Sequence, residues 1–287
     1  MQKELEAQEL RLEALMQALP YIKEFNDTVI VIKYGGSQLR VGLELDSFAD
    51  DIVLLRSLGI KVVVVHGGGP QVDDAMKVYG KEPEFIEGLR VTDYETLTIA
   101  RMVLVGKVGR DIVAAINRHG GYGVGTTGED GRLMIAKKKN PKLGFVGTVT
   151  EVRTSILERL FSEQLIPVIS TIGVTEDGES LNINADEAAA AIAIALKAKK
   201  LIIMSNIPGI MKDITDPDSV INNMTVEEAT KLTKSDTISA GMIPKIKACI
   251  DAVAGGAERS HIIDGRQNHS VLLELFTETG VGTMITP

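Results

Sequence analysis

The chain is short of three things, and each shortage closes a class of function. It has one cysteine, Cys249, which can form no internal disulfide, as expected of a protein kept in a reducing compartment. Its 31 Lys and Arg are outnumbered by 39 Asp and Glu, for a formal net charge of -8. That sign excludes a general nucleic-acid or membrane-surface binder, whose field must attract phosphates. It also lacks long apolar runs, and none reaches the ~18 residues of a membrane span. Residues 1–19 are rich in Glu, with neither the basic flank and apolar centre of a secretory signal nor the composition of a transit peptide. The expectation is a cytoplasmic protein with no nucleic-acid and no membrane partner. The four histidines have no zinc-like spacing, so no protein-held metal is expected.

What is present is ample core: 44% of the 287 residues are hydrophobic and 24% charged, enough to fold without disulfides or metal. The stretch Val29-Ile30-Val31-Ile32-Lys33-Tyr34-Gly35-Gly36-Ser37 reads as a strand buried on both faces, as in a parallel sheet covered by helices. Its two glycines let backbone N–H groups approach an anion closely, so the strand ends either in a phosphate site or in a tight turn with an exposed lysine. The device recurs where Lys61 to His66 runs into Gly67-Gly68-Gly69-Pro70 and a helix over about 71–79. In a parallel sheet both turns emerge at the edge where α/β proteins bind ligands.

Ahead of the first strand, Leu5, Leu10, Leu12, Leu15, Met16 and Leu19 are spaced among Glu, Gln and Arg as in an amphipathic helix that ends before Pro20. Its apolar stripe is expected to pack on a neighbouring subunit. Further along, Gly88-Leu89-Arg90-Val91-Thr92-Asp93 precedes one long helix over about 94–118, and Arg90 either faces solvent or clamps a carboxylate with its planar fork. Residues 132–137 and 145–150 alternate as a hairpin. Asn182, Asn184 and Asp186 cluster before an alanine-rich helix, as caps or as a polar site. Thr225 and Glu228 form a capping box. Lys245 falls in the first turn of the helix carrying Cys249, where a cation opposes the macrodipole unless an anion binds.

Two lysines, glycine turns at parallel strand ends and one aspartate form a phosphoryl-transfer set, because that transition state needs positive charge and N–H donors more than a strong base. No Walker-type loop or protein-kinase signature occurs, and the triple glycine lacks the spacers of a dinucleotide fingerprint. Spacing alone stops at a small-molecule phosphotransferase.

The ordered motifs Lys-Tyr-Gly-Gly-Ser, His-Gly-Gly-Gly-Pro, Gly-Leu-Arg-Val-Thr-Asp, Asn-Ile-Asn-Ala-Asp and Gly-Met-Ile-Pro-Lys resemble those of the N-acetylglutamate kinases, in the amino acid kinase family. The likeness runs from about residue 20 to the end. It implies an α/β fold: a three-layer αβα sandwich with a mainly parallel central sheet, plus the appended helix of residues 1–20. The kinase domain of 21–287 would divide into an acceptor lobe to about 197 and a nucleotide lobe from about 198. It implies that Lys33 and Lys245 stabilise the migrating phosphoryl group and that Asp186 holds them. Acceptor binding would fall to Gly68, Gly69, Arg90, Asn182 and Asn184, and ATP binding to Gly35, Gly36, Ser205, Asn206 and Gly209. ATP would arrive with Mg²⁺, and N-acetyl-L-glutamate would become N-acetyl-L-glutamyl 5-phosphate in arginine biosynthesis.

The amino-terminal helix is similar to that of arginine-inhibited hexameric members, trimers of dimers. This implies an arginine effector site near Tyr21, Lys200, Glu278 and Gly280, and leaves room for a PII-type signalling partner. Two positions depart from the family pattern. Asn206 follows Ser205 where many members have Asp, and Glu129 stands where many have Lys. The asparagine raises the alternative of a catalytically weakened, arginine-sensing regulatory protein.

Overall fold

The computed structural model describes residues 2–287 except 36–41, 214, 217–218, 235–237 and 240. Eight strands form one sheet, in the order Asn223–Thr225, Thr283–Thr286, Arg259–Asp264, Lys200–Ser205, Val29–Tyr34, Lys61–His66, Ile166–Ser170 and Gly123–Thr127. All neighbours run parallel except Thr283–Thr286 against Arg259–Asp264. The β-branched runs are buried on both faces, as a helix-covered parallel sheet requires.

Period-two alternation divides each strand between two cores. Ile30, Ile32 and Tyr34 join one that also holds Phe48, Ile112 and Val271, from helices Gly42–Ser57, Gly109–Asn117 and Ser270–Phe276. Val31 faces the other, under helices Ala185–Ala195 and Ile243–Ala254. Four alanines of the first of these, Ala188, Ala189, Ala190 and Ala193, lie in that core, so the helix backbone sits close on its neighbours. The result is a three-layer αβα sandwich. Beside it, strands Met134–Lys138, Val146–Val152, Ile172–Val174 and Ser180–Ile183 close into a small barrel that includes the expected hairpin. At the sheet's edge, the Asn117 side chain accepts from Gly123 N–H at 2.6 Å and donates to Gly123 C=O at 3.1 Å.

The structure corrects three expectations. The first helix, Gln2–Phe25, runs through Pro20 instead of stopping before it. Proline costs one helical hydrogen bond, but burial beyond it compensates: Phe25 is 2% exposed and packs edge-to-face on Phe276, and Tyr21 packs on the same core. The helix is thus joined to its own domain at one end, while Leu12, Leu15 and Met16 stay exposed. The long helix over 94–118 is interrupted by a π turn, Leu104–Val108, between helices Tyr94–Val103 and Gly109–Asn117. Several strands of two to four residues, among them Phe85–Ile86, Leu89–Arg90 and Thr283–Thr286, were too short for a periodic signal. Among the described residues no helix is long and apolar enough to cross a membrane.

Phe25 is the anchor of the first helix, so Phe25→Ala is expected to lower the free energy of unfolding by about 3 kcal/mol or more, read from urea titrations. An exposed-stripe change such as Leu12→Ala is expected to stay within about 0.5 kcal/mol in the monomer.

Candidate active site

Lys33 follows Val31 onto the face covered by helix Ala185–Ala195, and Asp186 stands in that helix's first turn. Their charges meet: Lys33 Nζ lies 2.9 Å from Asp186 Oδ1. Lys245, in the first turn of helix Ile243–Ala254, reaches the other oxygen, with Nζ 3.3 Å from Oδ2. One buried carboxylate therefore serves two ammonium groups delivered by elements 212 positions apart (245 minus 33). Burial alone would raise the Asp186 pKa, but the two lysines more than offset this and hold it below the usual carboxylate range. Burial draws the Lys33 pKa down, aided by Lys245 and opposed by Asp186. The cluster carries a surplus positive charge, two ammonium groups against one carboxylate, which suits an anion.

A cleft of ≈ 230 Å³ opens beside this cluster. Its lining includes Lys33, Gly68, Gly69, Arg90, Asn182, Asn184 and Asp186, the proposed acceptor residues together with two of the three charged ones. Asn182 Nδ2 donates to Thr92 Oγ1 at 3.2 Å, and that hydroxyl donates to the Arg90 carbonyl at 2.9 Å. Two expectations are adjusted. Arg90 is not a free clamp: Nη1 pairs with Asp73 at 2.5 Å, Nη2 donates to the Gly69 carbonyl at 3.2 Å, and the guanidinium stacks on Phe85. Its partners fix its orientation at the cleft wall. The Asn184 side chain caps helix Ala185–Ala195, accepting from the N–H groups of Asp186 and Glu187, so its oxygen serves the helix. Phe85, Leu89 and Leu104 also line the cleft, and no sequence reading singled them out. The strongest overlooked signal was Asp73, four positions after Gly69, which sets the arginine.

The residues expected on the nucleotide side are placed unevenly. Gly35 is buried at the end of the opening strand, and Gly36 lies outside the described residues. Ser205 is buried and Asn206 exposed at the end of strand Lys200–Ser205. Gly209 packs on Thr283, whose hydroxyl accepts from Ile210 N–H at 2.8 Å. Glu129 has local compensation: it pairs with Arg101 at 3.1 Å and accepts from the Ser180 hydroxyl. Its reversed charge is therefore neutralised where it stands.

A second cavity of ≈ 260 Å³ brings together Tyr21, Lys200, Glu278 and Gly280, the four residues carried over as an effector site. His261 and Glu274 join them and were missed. The visible signal was an acid, Glu274, on the buried side of helix Ser270–Phe276 beside Val271 and Leu275. Lys200 Nζ donates to His261 Nε2 at 3.2 Å, and His261 Nδ1 donates to Glu274 at 2.5 Å. The other Glu274 oxygen accepts from the N–H groups of Val281 and Gly282. Burial lowers the Lys200 pKa to about 8. The cavity thus sets the Glu278 to Gly280 loop against the ordered Lys200–His261–Glu274 series.

Residues 28–264 match the amino acid kinase family. The chain is 48% identical over 282 residues to the acetylglutamate kinase of Methanothrix thermoacetophila, covering 96% of this chain and 98% of that one. It is 47% identical to the acetylglutamate kinase of Caldanaerobacter subterraneus subsp. tengcongensis, covering 96% and 93%. Among solved structures, N-acetylglutamate synthase from Neisseria gonorrhoeae, complexed with coenzyme A and N-acetyl-glutamate, superposes with a TM-score of 0.85 at 27% identity. That match covers 96% of this chain, which spans 63% of the synthase chain. Carbamate kinase from Giardia lamblia bound to AMP-PNP shares the fold, with a TM-score of 0.67 at 18% identity over 90% of this chain and 98% of that one.

Because Asp186 is the buried carboxylate that pairs with buried Lys33 and half-buried Lys245, Asp186→Asn is expected to destabilise the protein by about 3 kcal/mol or more at neutral pH. Its folded pKa lies below the ordinary 3.8, so the pairing contributes stability that is present above that pH and is lost as pH falls below it. Chemical denaturation of both proteins from pH 7 downward checks this: the difference between them should shrink in the acid range.

Proposed function

The chain belongs to the amino acid kinase family and, within it, to the acetylglutamate kinases, which are ATP-dependent carboxylate kinases; on that premise we propose which residues perform the transfer. The chain moves the γ-phosphoryl group of ATP to the side-chain carboxylate of N-acetyl-L-glutamate, giving N-acetyl-L-glutamyl 5-phosphate for arginine biosynthesis. The observation that carries the assignment of roles is the Lys33–Asp186–Lys245 cluster at the mouth of the acceptor cleft.

Lys33 and Lys245 offer their ammonium groups to the equatorial oxygens of the transferring group, whose spread charge is what the site must match. Asp186 keeps the two ammonium groups from separating before substrates arrive and is the positioning carboxylate between them. The acceptor is already a nucleophilic carboxylate, so no base removes a proton from it. Gly68, Gly69, Arg90 and Asn182 hold its other carboxylate and its acetamide. Gly35 and Gly36 give N–H donors to the γ-phosphate, and Ser205, Asn206 and Gly209 flank the nucleotide. The lobe ending near 197 carries the acceptor and the lobe from about 198 the nucleotide. The donor set at the cluster, two ammonium groups and one carboxylate already engaged by both, fits a metal that travels on the nucleotide. Mg²⁺ there supplies charge neutralisation of the ATP phosphates.

Regulation follows the second cavity. Arginine, with a guanidinium for the acidic loop and a carboxylate for Lys200, suits the site formed by Tyr21, Lys200, Glu278 and Gly280, and a synthase complexed with L-arginine has the same fold at a TM-score of 0.83. The exposed Leu12, Leu15 and Met16 suit helix pairing in a hexamer built as a trimer of dimers, in the cytoplasm, where a PII-type protein could dock.

Two experiments test this. With ATP, Mg²⁺ and N-acetylglutamate in a coupled assay, the folded protein is expected to turn over at millimolar substrate, and silence there would overturn the assignment. Lys33→Ala and Lys245→Ala should each lower kcat about 10²-fold or more, with the acceptor KM little changed. Removing residues 1–18, which spares Tyr21 and Phe25, should leave turnover but abolish arginine inhibition and reduce the assembly to dimers in light scattering. A shortened chain that stayed hexameric and arginine-sensitive would rule out the helix's role.

A further inference from the structure

The phosphoryl-transfer scheme and the second cavity together leave one buried imidazole unused, His66, beside the triple-glycine turn. His66 and Ser170 are register partners on adjacent parallel strands, 0% and 2% exposed. By alternation they share the sheet face of Val64 and Val168, opposite the face of Val31 and Lys33. His66 Nδ1 lies 3.0 Å from the Gly67 carbonyl oxygen and Nε2 lies 2.9 Å from Ser170 Oγ. A carbonyl only accepts, so Nδ1 bears the hydrogen. Burial pushes the imidazole down to about 4, so the ring is neutral at neutral pH and Nε2 accepts the Ser170 hydroxyl hydrogen. The Gly67 carbonyl, which can only accept, is what fixes the tautomer.

That bond has a geometric consequence on the other side of the turn. The Gly67 carbonyl and the Gly68 N–H belong to one planar trans peptide, in which the two bonds point in opposite directions. An imidazole gripping the carbonyl from the buried side turns the Gly68 N–H away from itself, and Gly68 lines the acceptor cleft. Among the described residues, neither the Gly68 nor the Gly69 N–H donates to a protein acceptor. The turn is also pressed from behind. A Cβ on Gly68 would stand 2.6 Å from Leu104 Cδ2 and 3.2 Å from Val108 Cγ2, both in the π turn. Ser170 Oγ lies 3.3 Å from the Leu104 carbonyl, so histidine, serine, π turn and glycine turn form one packed unit.

We propose that His66 is a positioning residue of the acceptor site: by holding the Gly67 carbonyl it aims the Gly68 N–H at the acceptor's carboxylate. This rests on the reading that Gly68 and Gly69 bind the acceptor. It assigns to an interior histidine, which never touches substrate, control over acceptor affinity rather than over the transfer step.

The test uses the full chain and steady-state kinetics in both substrates, with thermal unfolding to establish folded protein. His66→Ala should raise the KM for N-acetylglutamate about tenfold or more while the KM for ATP changes less than about twofold. His66→Asn, whose amide N–H can take the place of Nδ1–H, should recover most of that loss. An Asn variant as impaired as the Ala variant, or both KM values rising together, overturns the positioning role. Should the Ala variant not fold, the wild-type protein labelled with ¹⁵N-histidine decides: a hydrogen on Nδ1 supports the proposal and a hydrogen on Nε2 alone overturns it. If the wild type turns over N-acetylglutamate and His66→Ala leaves its KM unchanged, only this inference fails. If the wild type shows no turnover of N-acetylglutamate, the reading beneath it fails and the inference goes with it.

Discussion

The centre of the molecule depends on one electrostatic imbalance: a single buried carboxylate, Asp186, shared by two ammonium groups. Two cations in low dielectric repel each other, and a fully matched pair of ion pairs would leave them nothing to offer a ligand. One anion between two cations holds them within reach of each other yet leaves a net charge for a bound anion to satisfy. The geometry is also a bridge. Lys33 comes from the central strand, Asp186 from the helix behind it and Lys245 from a helix that follows strand Lys200–Ser205, so the three lock separately encoded elements to a common point. Strand register underwrites it all, because a slip of one residue would carry Lys33 to the opposite face of the sheet.

The outlines of this were readable in the amino-acid order. The two-faced apolar strands, the glycine turns at their ends and the oddly placed Lys245 each signalled a parallel sheet with an anion site, and the helices that cover both faces follow from periodicity. What escaped was set by contacts between distant segments. Pro20 looked like a stop because its own hydrogen bond is lost, whereas Phe25, five residues on, is held by Phe276 from the far end of the chain. The π turn at Leu104–Val108 breaks no helical pattern that a window of residues could register. Arg90 was left between facing solvent and clamping a carboxylate, and its ion pair with Asp73 depends on how a short hairpin folds over helix Gly69–Val78. Likewise Glu274 and His261 meet only across a strand and a helix.

The two cavities are built by contrasting means. The cleft beside the cluster is lined by the glycine turn at Gly67, Gly68 and Gly69, which is backed by side chains such as Leu104 and Ser170. The second cavity relies on side chains in series, Lys200 to His261 to Glu274, with the last carboxylate tied to the loop at Val281 and Gly282. Its wall also contains Phe25, over whose ring the Lys200 ammonium sits at 5.3 Å. The residue that anchors the first helix is thus part of the wall of the second cavity.

The edges of the sheet bear on how the protein behaves when crowded. Strand Gly123–Thr127 ends the sheet with backbone groups that another chain could pair with, and at Gly123 both are already taken by the single amide of Asn117, which stands where a neighbouring strand would begin. The opposite edge, Asn223–Thr225, is three residues long, with its two end residues polar and exposed. Neither offers the long, flat, apolar template from which sheets grow from molecule to molecule. The parallel core thus meets its surroundings through one strand of three residues and one of five, whose first residue is already hydrogen-bonded to a side chain.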